Sequence, residues 1–188
     1  MTFDHLTDGE FEELTYDLLH ALGFVNLDWR RGSGKGGATA DQGRDVVGQF
    51  RQTDVDGSER FERWFVQCKR YERGVPPEAL NGAVTWASAE SPDVLLFAVS
   101  NSLSNPAKTW LDDFERNRRP PFRVKVWERK LLEQLIGSHT GLVGQVQAKG
   151  RQHTPEHSSG ARSLRVASGF ELPRLLLGRI GLTRPGAA

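Results

Sequence analysis

Apolar residues recur at helical spacing early in the chain. Phe11, Leu14, Leu18, Leu19 and Leu22 form one stripe, Thr7 and Glu10 ahead of it fit a capping box, and Gly23 stands where a helix should stop. From Val25 to Trp29 the pattern changes to alternation, which predicts a half-buried strand. Val46 to Phe50 and Trp64 to Tyr71 read as two antiparallel strands of a long hairpin. Asp56-Gly57 between them suits the positive φ values of a tight turn. Pro76 and Pro77 open a helix whose Leu80, Ala83, Val84 and Ala87 share a stripe, and Pro92 follows its end. The unbroken apolar run from Val94 to Val99 is a buried strand. Asn105-Pro106 starts a helix facing inward with Trp110, Leu111 and Phe114. Phe122 to Trp127 is a further strand, and a last helix lies near Lys130 to Ile136.

The order is therefore αβββαβαβα. An antiparallel hairpin followed by alternating helices and strands needs crossover connections, so the expected fold is α/β: a three-layer core with a mixed central sheet flanked by helices. The expected domain runs over 1–147. Residues 148–188 are read as a linker and a basic, poorly defined tail. Gly150 to Ser163 is rich in Gly, Ser, His, Gln and Arg and offers little apolar area to bury. A short amphipathic helix over Leu172–Leu182 would be interrupted by Gly178 and Gly181. Arg31 to Gly43, with five glycines, is read as a loop.

Composition narrows the class. A chain of 188 residues suffices for one domain with a buried core and an appendage. The lone cysteine, Cys68, excludes an internal disulfide framework and a thiol-rich zinc site. The amino terminus has neither a basic start nor an apolar run, and no stretch approaches the roughly 20 apolar residues of a membrane helix. A cytoplasmic protein without membrane contact is the expectation. The net charge of +1 hides an asymmetry: residues 148–188 hold seven Lys/Arg against two Asp/Glu, a net +5, leaving −4 on the first 147. The core lacks a broadly basic face, so any contact with a polyanion must be local, metal-assisted or supplied by a partner.

Candidate chemistry gathers on the hairpin. Asp45 precedes one strand, and Val66-Gln67-Cys68-Lys69 lies on the next. Alternation turns Gln67 and Lys69 to one face and Cys68 to the other, and Asp45 joins the first pair if the register agrees. A carboxylate that binds a hard divalent cation beside an ammonium group suits phosphodiester hydrolysis. Gln67 offers a neutral carbonyl oxygen, so another anionic ligand is needed. Glu12 on the first helix is the candidate, with Glu13 and Glu10 as substitutes. The metal-ligating candidates are thus Asp45, Glu12, Gln67 and Cys68, and the catalytic candidates are Asp45, Gln67, Lys69 and Glu12.

These segments resemble the Mrr-like restriction endonucleases of the PD-(D/E)XK nuclease superfamily. The resemblance spans roughly 7–136 and rests on Glu10-Phe11-Glu12-Glu13-Leu14, Leu18-Leu19, Gly23-Phe24, Asp41-Gln42-Gly43-Arg44-Asp45 and Val66-Gln67-Cys68-Lys69-Arg70-Tyr71. It implies the restriction-endonuclease fold and cleavage of DNA with Mg²⁺, for which Mn²⁺ can substitute. It also implies a Gln-x-Lys variant in which Asp45 binds metal, Lys69 assists the water nucleophile and Glu12 completes the site. The family usually joins this domain to one that chooses the target. Here the sequence shows a linker and an ill-defined tail in that place, so target choice is unaccounted for, and the expected partners are DNA with a target-recognition partner protein or a homodimer.

Each residue also has a plainer role. An Asp after a glycine caps a turn, a strand Lys protects an edge, and acids in a first helical turn answer the helix dipole. The glycine-rich stretch from Gly32 to Gly37 lacks the spacing of a nucleotide-binding loop. Arg30, Arg31, Lys35 and Arg44 around it are candidate DNA contacts. His139, His153 and His157 lack partners for a zinc site in the sequence and are read as solvated. Three functions fit: a DNA endonuclease acting in restriction or defence, a nonenzymatic nuclease-like module that binds nucleic acid or a partner, and a junction resolvase of the same superfamily, which needs a dimer.

Overall fold

The capping box at the start of the chain forms as its spacing predicts. In the computed structural model, which describes residues 2–30 and 45–153 (backbone alone for 151–153), Thr7 N–H donates to Glu10 Oε2 at 2.8 Å and Glu10 N–H to Thr7 Oγ1 at 3.3 Å. Helix α1 (Asp8–Ala21) follows, burying Phe11, Leu14, Leu18 and Leu19, and Gly23 turns the chain at φ +87°. The chain divides into two units, Met1–Pro155 and Glu156–Ala188, and the described residues belong to the first. The expected glycine loop from Arg31 to Gly43, the linker beyond 153 and the tail helix over 172–182 lie outside the described residues.

Five strands form one sheet in the order β1-β2-β3-β4-β5. Strands β1 (Val25–Trp29), β2 (Val46–Thr53) and β3 (Glu59–Lys69) pair antiparallel, whereas β4 (Val94–Val99) and β5 (Arg123–Trp127) continue parallel from β3. The hairpin turns where its sequence predicts. Gly57 sits at φ +83°, and Asp54 N–H donates to Ser58 O at 2.8 Å. Both strands are longer than expected at the tip end.

Helices cover both faces. Val66, Cys68, Leu96 and Ala98 pack with α1, with α4 (Arg129–Gly137, through Leu132 and Ile136) and with α5 (Thr140–His153, through Leu142 and Val146). Phe65, Leu95, Phe97 and Val99 pack on the other face with α2 (Asn81–Glu90) and α3 (Asn105–Arg118). The mixed three-layer α/β fold is present.

Three local differences have physical causes. Pro77 opens a single 3₁₀ turn, Pro77–Ala79, before α2 begins at Asn81. In β1, Asn26 takes φ +51° and a bulge separates Val25 from Asp28, so the alternation expected there is broken and Val25 is exposed. Helix α5 crosses residue 147 and runs to His153, through the start of the stretch read as linker. Its Gly141 and Gly144 obscure the helical spacing, but Leu142 and Val146 are both buried one turn apart. His139 is half-buried just ahead of α5, its N–H donating to Ile136 O at 2.8 Å and its carbonyl accepting from Leu142 N–H at 3.0 Å; His157 lies outside the described residues.

Candidate active site

The site is built where the β2–β3 ladder ends. Val46 pairs with Val66, so the next position outward sets Asp45 opposite Gln67. Strand β2 begins at Val46, and beyond it the acceptor for the Cys68 N–H is the Asp45 carboxylate rather than a strand carbonyl. The same Oδ2 accepts from Gln67 Nε2 at 2.7 Å, while Asp45 N–H donates to Val66 O at 2.9 Å. Its backbone is also held by Arg30 N–H, which donates to Asp45 O at 2.8 Å. Asp45 and Gln67 are both buried, so the pair is fixed by several hydrogen bonds in a region of low dielectric, where each counts for more than in water.

Asp45, Gln67 and Lys69 line one cleft of about 360 Å³ together with Glu12 and Asp8. Glu12 and Asp8 are four residues apart and share a face of α1, which crosses the sheet above β3. The charges of this group meet at Cys68. Burial pushes its thiol well above the ordinary value, the Asp45 charge adds to that, Thr15 opposes it by a hydrogen bond, Glu12 raises it again and Lys69 lowers it. The thiol lies in the apolar core beneath α1, and Cys68 meets Asp45 through its backbone N–H.

The neighbouring acid, Glu13, is engaged elsewhere: its Oε2 receives Lys149 Nζ at 2.8 Å, tying α1 to α5. Glu10 closes the capping box with Thr7. Among the three acids of α1 weighed from the sequence, Glu12 is the one that lines the cleft. Lys69 has no ion pair among the described residues, unlike Arg70, whose Nε meets Asp8 Oδ1 at 2.7 Å.

Among the described residues no three His, Cys, Asp or Glu side chains gather as a metal cluster. The oxygen donors in the cleft are the carboxylates of Asp45 and Glu12 and the amide of Gln67, with the third carboxylate, Asp8, paired to Arg70. With Nε2 turned to Asp45, Oε1 is the amide atom not committed to that pair. Hard oxygen donors of this number fit Mg²⁺, which is commonly held by one or two carboxylates with substrate phosphates and waters completing its shell.

Of the candidate DNA contacts, Arg30 is exposed at the end of β1 and pairs with Asp28 at 3.1 Å; Arg31, Lys35 and Arg44 lie outside the described residues. Asp8, Arg70 and Tyr71 also line the cleft, beyond the residues expected from the sequence. Two offsets carry the signal: Asp8 stands one helical turn before Glu12, and Tyr71 stands two residues after Lys69.

A family model described as restriction endonuclease, the Mrr catalytic domain, matches residues 3–136. The chain belongs to that restriction endonuclease family. No curated protein sequence matches it. Two solved structures share the fold. The DNA modification-dependent restriction endonuclease AspBHI superposes with a TM-score of 0.52 at 15% identity over 77% of this chain and 35% of its own. The MspJI restriction endonuclease, in complex with a 27-mer oligonucleotide, gives 0.52 at 17% identity over 84% of this chain and 34% of its own. The restriction endonuclease domain described above thus spans about a third of the length of these two enzymes. Among the described residues no helix is long and apolar enough to cross a membrane.

Proposed function

We propose that this domain is a Mg²⁺-dependent endonuclease that hydrolyses DNA phosphodiester bonds, and that it serves in restriction of, or defence against, foreign DNA. The observation that carries the reading is the buried Asp45–Gln67 pair, set beside Lys69 in a cleft that Glu12 also lines. Family membership supports the same chemistry. The DNA named for AspBHI and the oligonucleotide bound by MspJI agree with a nucleic acid as the polyanion.

Asp45, Glu12 and the Gln67 amide oxygen would hold the cation, with Mn²⁺ an acceptable substitute. When bound, such a cation polarises the phosphate and favours attack by water. Asp45 needs no reorganisation for this role, because Gln67 and the Cys68 N–H already fix its carboxylate. The Cys68 thiol, buried and held protonated, suits a hard cation poorly, so its contribution is confined to its backbone. Lys69 places an ammonium beside the negative charge that develops on the phosphate and orients the water nucleophile. The first 147 residues carry net negative charge, so part of the hold on DNA is assigned to a recognition partner or to a homodimer. A cytoplasmic location follows from this role.

The test is cleavage of methylated and unmethylated plasmid by the full chain, with Mg²⁺ or with chelator. Nicking or linearisation in Mg²⁺ alone is expected. Cleavage undiminished in chelator contradicts the metal assignment, and inertness of the folded chain toward both plasmids, with Mg²⁺ and with Mn²⁺, contradicts the enzyme reading.

A further inference from the structure

The segment that leaves β3 beside Lys69 is held unusually firmly for a loop. Ser100, buried at the end of β4, accepts the Tyr71 N–H at 2.9 Å and donates its hydroxyl to Tyr71 O at 3.2 Å. Asn101 Nδ2 donates to Glu72 O at 2.7 Å. Two residues on, Gly74 lies so close to Ser104 that a Cβ there would stand 3.1 Å from its backbone, and Val75 pairs with Leu103 as an isolated bridge. Arg129 Nε closes the arrangement from α4 by donating to Ser100 O at 2.9 Å. The backbone at residues 71–75 is thereby fixed to the β4–α3 connection on one side of the cleft.

This ledge presents an aromatic ring to solvent. Tyr71 is 37% exposed and lines the same cleft as Asp45, Gln67 and Lys69. The surrounding backbone bonds set the position of the residue but leave its ring out of the core, and no ring contact to Tyr71 exists among the described residues. An exposed aromatic on a fixed backbone, lining the cleft proposed to hold phosphate, matches the chemistry of a nucleobase platform: every base offers a π-face, and stacking is worth about 1–3 kcal/mol per base.

We propose that Tyr71 is a substrate-positioning residue whose ring stacks on an unpaired nucleobase next to the phosphate held in the Asp45–Lys69 cleft. The assignment rests on the nuclease reading for the identity of the polyanion. It adds a base contact to a site otherwise described by its phosphate chemistry. The stacking is sequence-tolerant, so its role is to fix the strand in the cleft rather than to read the target.

The probes are short oligothymidylate and an abasic oligomer of equal length, which present the same phosphates with and without bases. Their binding to the full chain is compared in chelator by fluorescence anisotropy. The wild type is expected to prefer oligothymidylate by roughly tenfold. Tyr71→Phe is expected to keep that preference and Tyr71→Leu to lose it, while phosphate-driven binding of the abasic probe stays the same in all three. A preference that survives Tyr71→Leu, or a wild type that binds both probes equally or neither, overturns the proposal. Plasmid cleavage in Mg²⁺ is scored separately. Cleavage with no base preference sinks the stacking role and leaves the nuclease intact, whereas base preference without cleavage does the reverse.

Discussion

Gln67 Nε2 donates to Asp45 Oδ2 at 2.7 Å across the end of the β2–β3 ladder, and that same oxygen accepts the backbone N–H of Cys68. One carboxylate therefore both finishes the sheet and faces the cleft. Its structural and chemical duties separate by substitution. Asp45→Asn keeps an acceptor oxygen for the Cys68 N–H, whereas Asp45→Ala leaves that buried donor unsatisfied, a loss of about 1–3 kcal/mol. Urea denaturation is expected to rank wild type and Asp45→Asn together, with Asp45→Ala below them. Equal stability of the wild type and both variants contradicts the ladder-capping role.

The two acids at the centre of α1 are expected to behave differently. Glu12 lines the cleft and Glu13 pairs with Lys149. Glu12→Gln should raise the Mg²⁺ concentration for half-maximal cleavage by at least the roughly tenfold that loss of an outer partner costs at a metal site. Glu13→Gln should leave that concentration unchanged and lower stability by no more than about 1 kcal/mol, the scale of a partly exposed ion pair. A Mg²⁺ titration of cleavage for each variant decides the matter, and the opposite ranking would move the ligand to Glu13.

Lys69 makes no ion pair among the described residues. Lys69→Ala should therefore spare the melting temperature and lower the cleavage rate by roughly 100-fold or more, the scale for removing one group that stabilises transition-state charge. A matched loss of stability would mean that the lysine is structural.

Cys68 is buried in the core, with its thiol pushed up chiefly by burial and then by Asp45. It should resist a disulfide reagent such as dithiobisnitrobenzoate in the native protein and react promptly in denaturant. Fast native reaction would place the thiol on the surface and would break the alternation that turns Gln67 and Lys69 to the cleft.

Much of this was legible in the sequence because the elements carry clean periodicity. The stripe from Phe11 to Leu19 and the apolar run of β4 admit few other readings, and Asp56-Gly57 marks the turn that brings Asp45 and Gln67 into register. Residues that depend on tertiary contacts were less visible. Helix α5 owes its formation to burial of Leu142 and Val146 against α1 and α4 and is masked locally by glycines. The ledge at Tyr71 depends on Ser100 and Asn101, which lie 29 and 30 positions further along the chain. No local pattern announces such a pairing. The sequence favours Glu12 over Glu13, but the contact that engages Glu13, with Lys149 far along the chain, has no local signal.

Asp45 is assigned to metal-dependent cleavage of DNA as well as to the end of the sheet. The most direct measurement is a time course of supercoiled-plasmid nicking in Mg²⁺ by the wild type and by Asp45→Asn, each shown by circular dichroism to be folded. Cleavage by the wild type that chelator abolishes is expected, with no cleavage by Asp45→Asn at equal stability. Cleavage by folded Asp45→Asn at the wild-type rate would contradict that assignment.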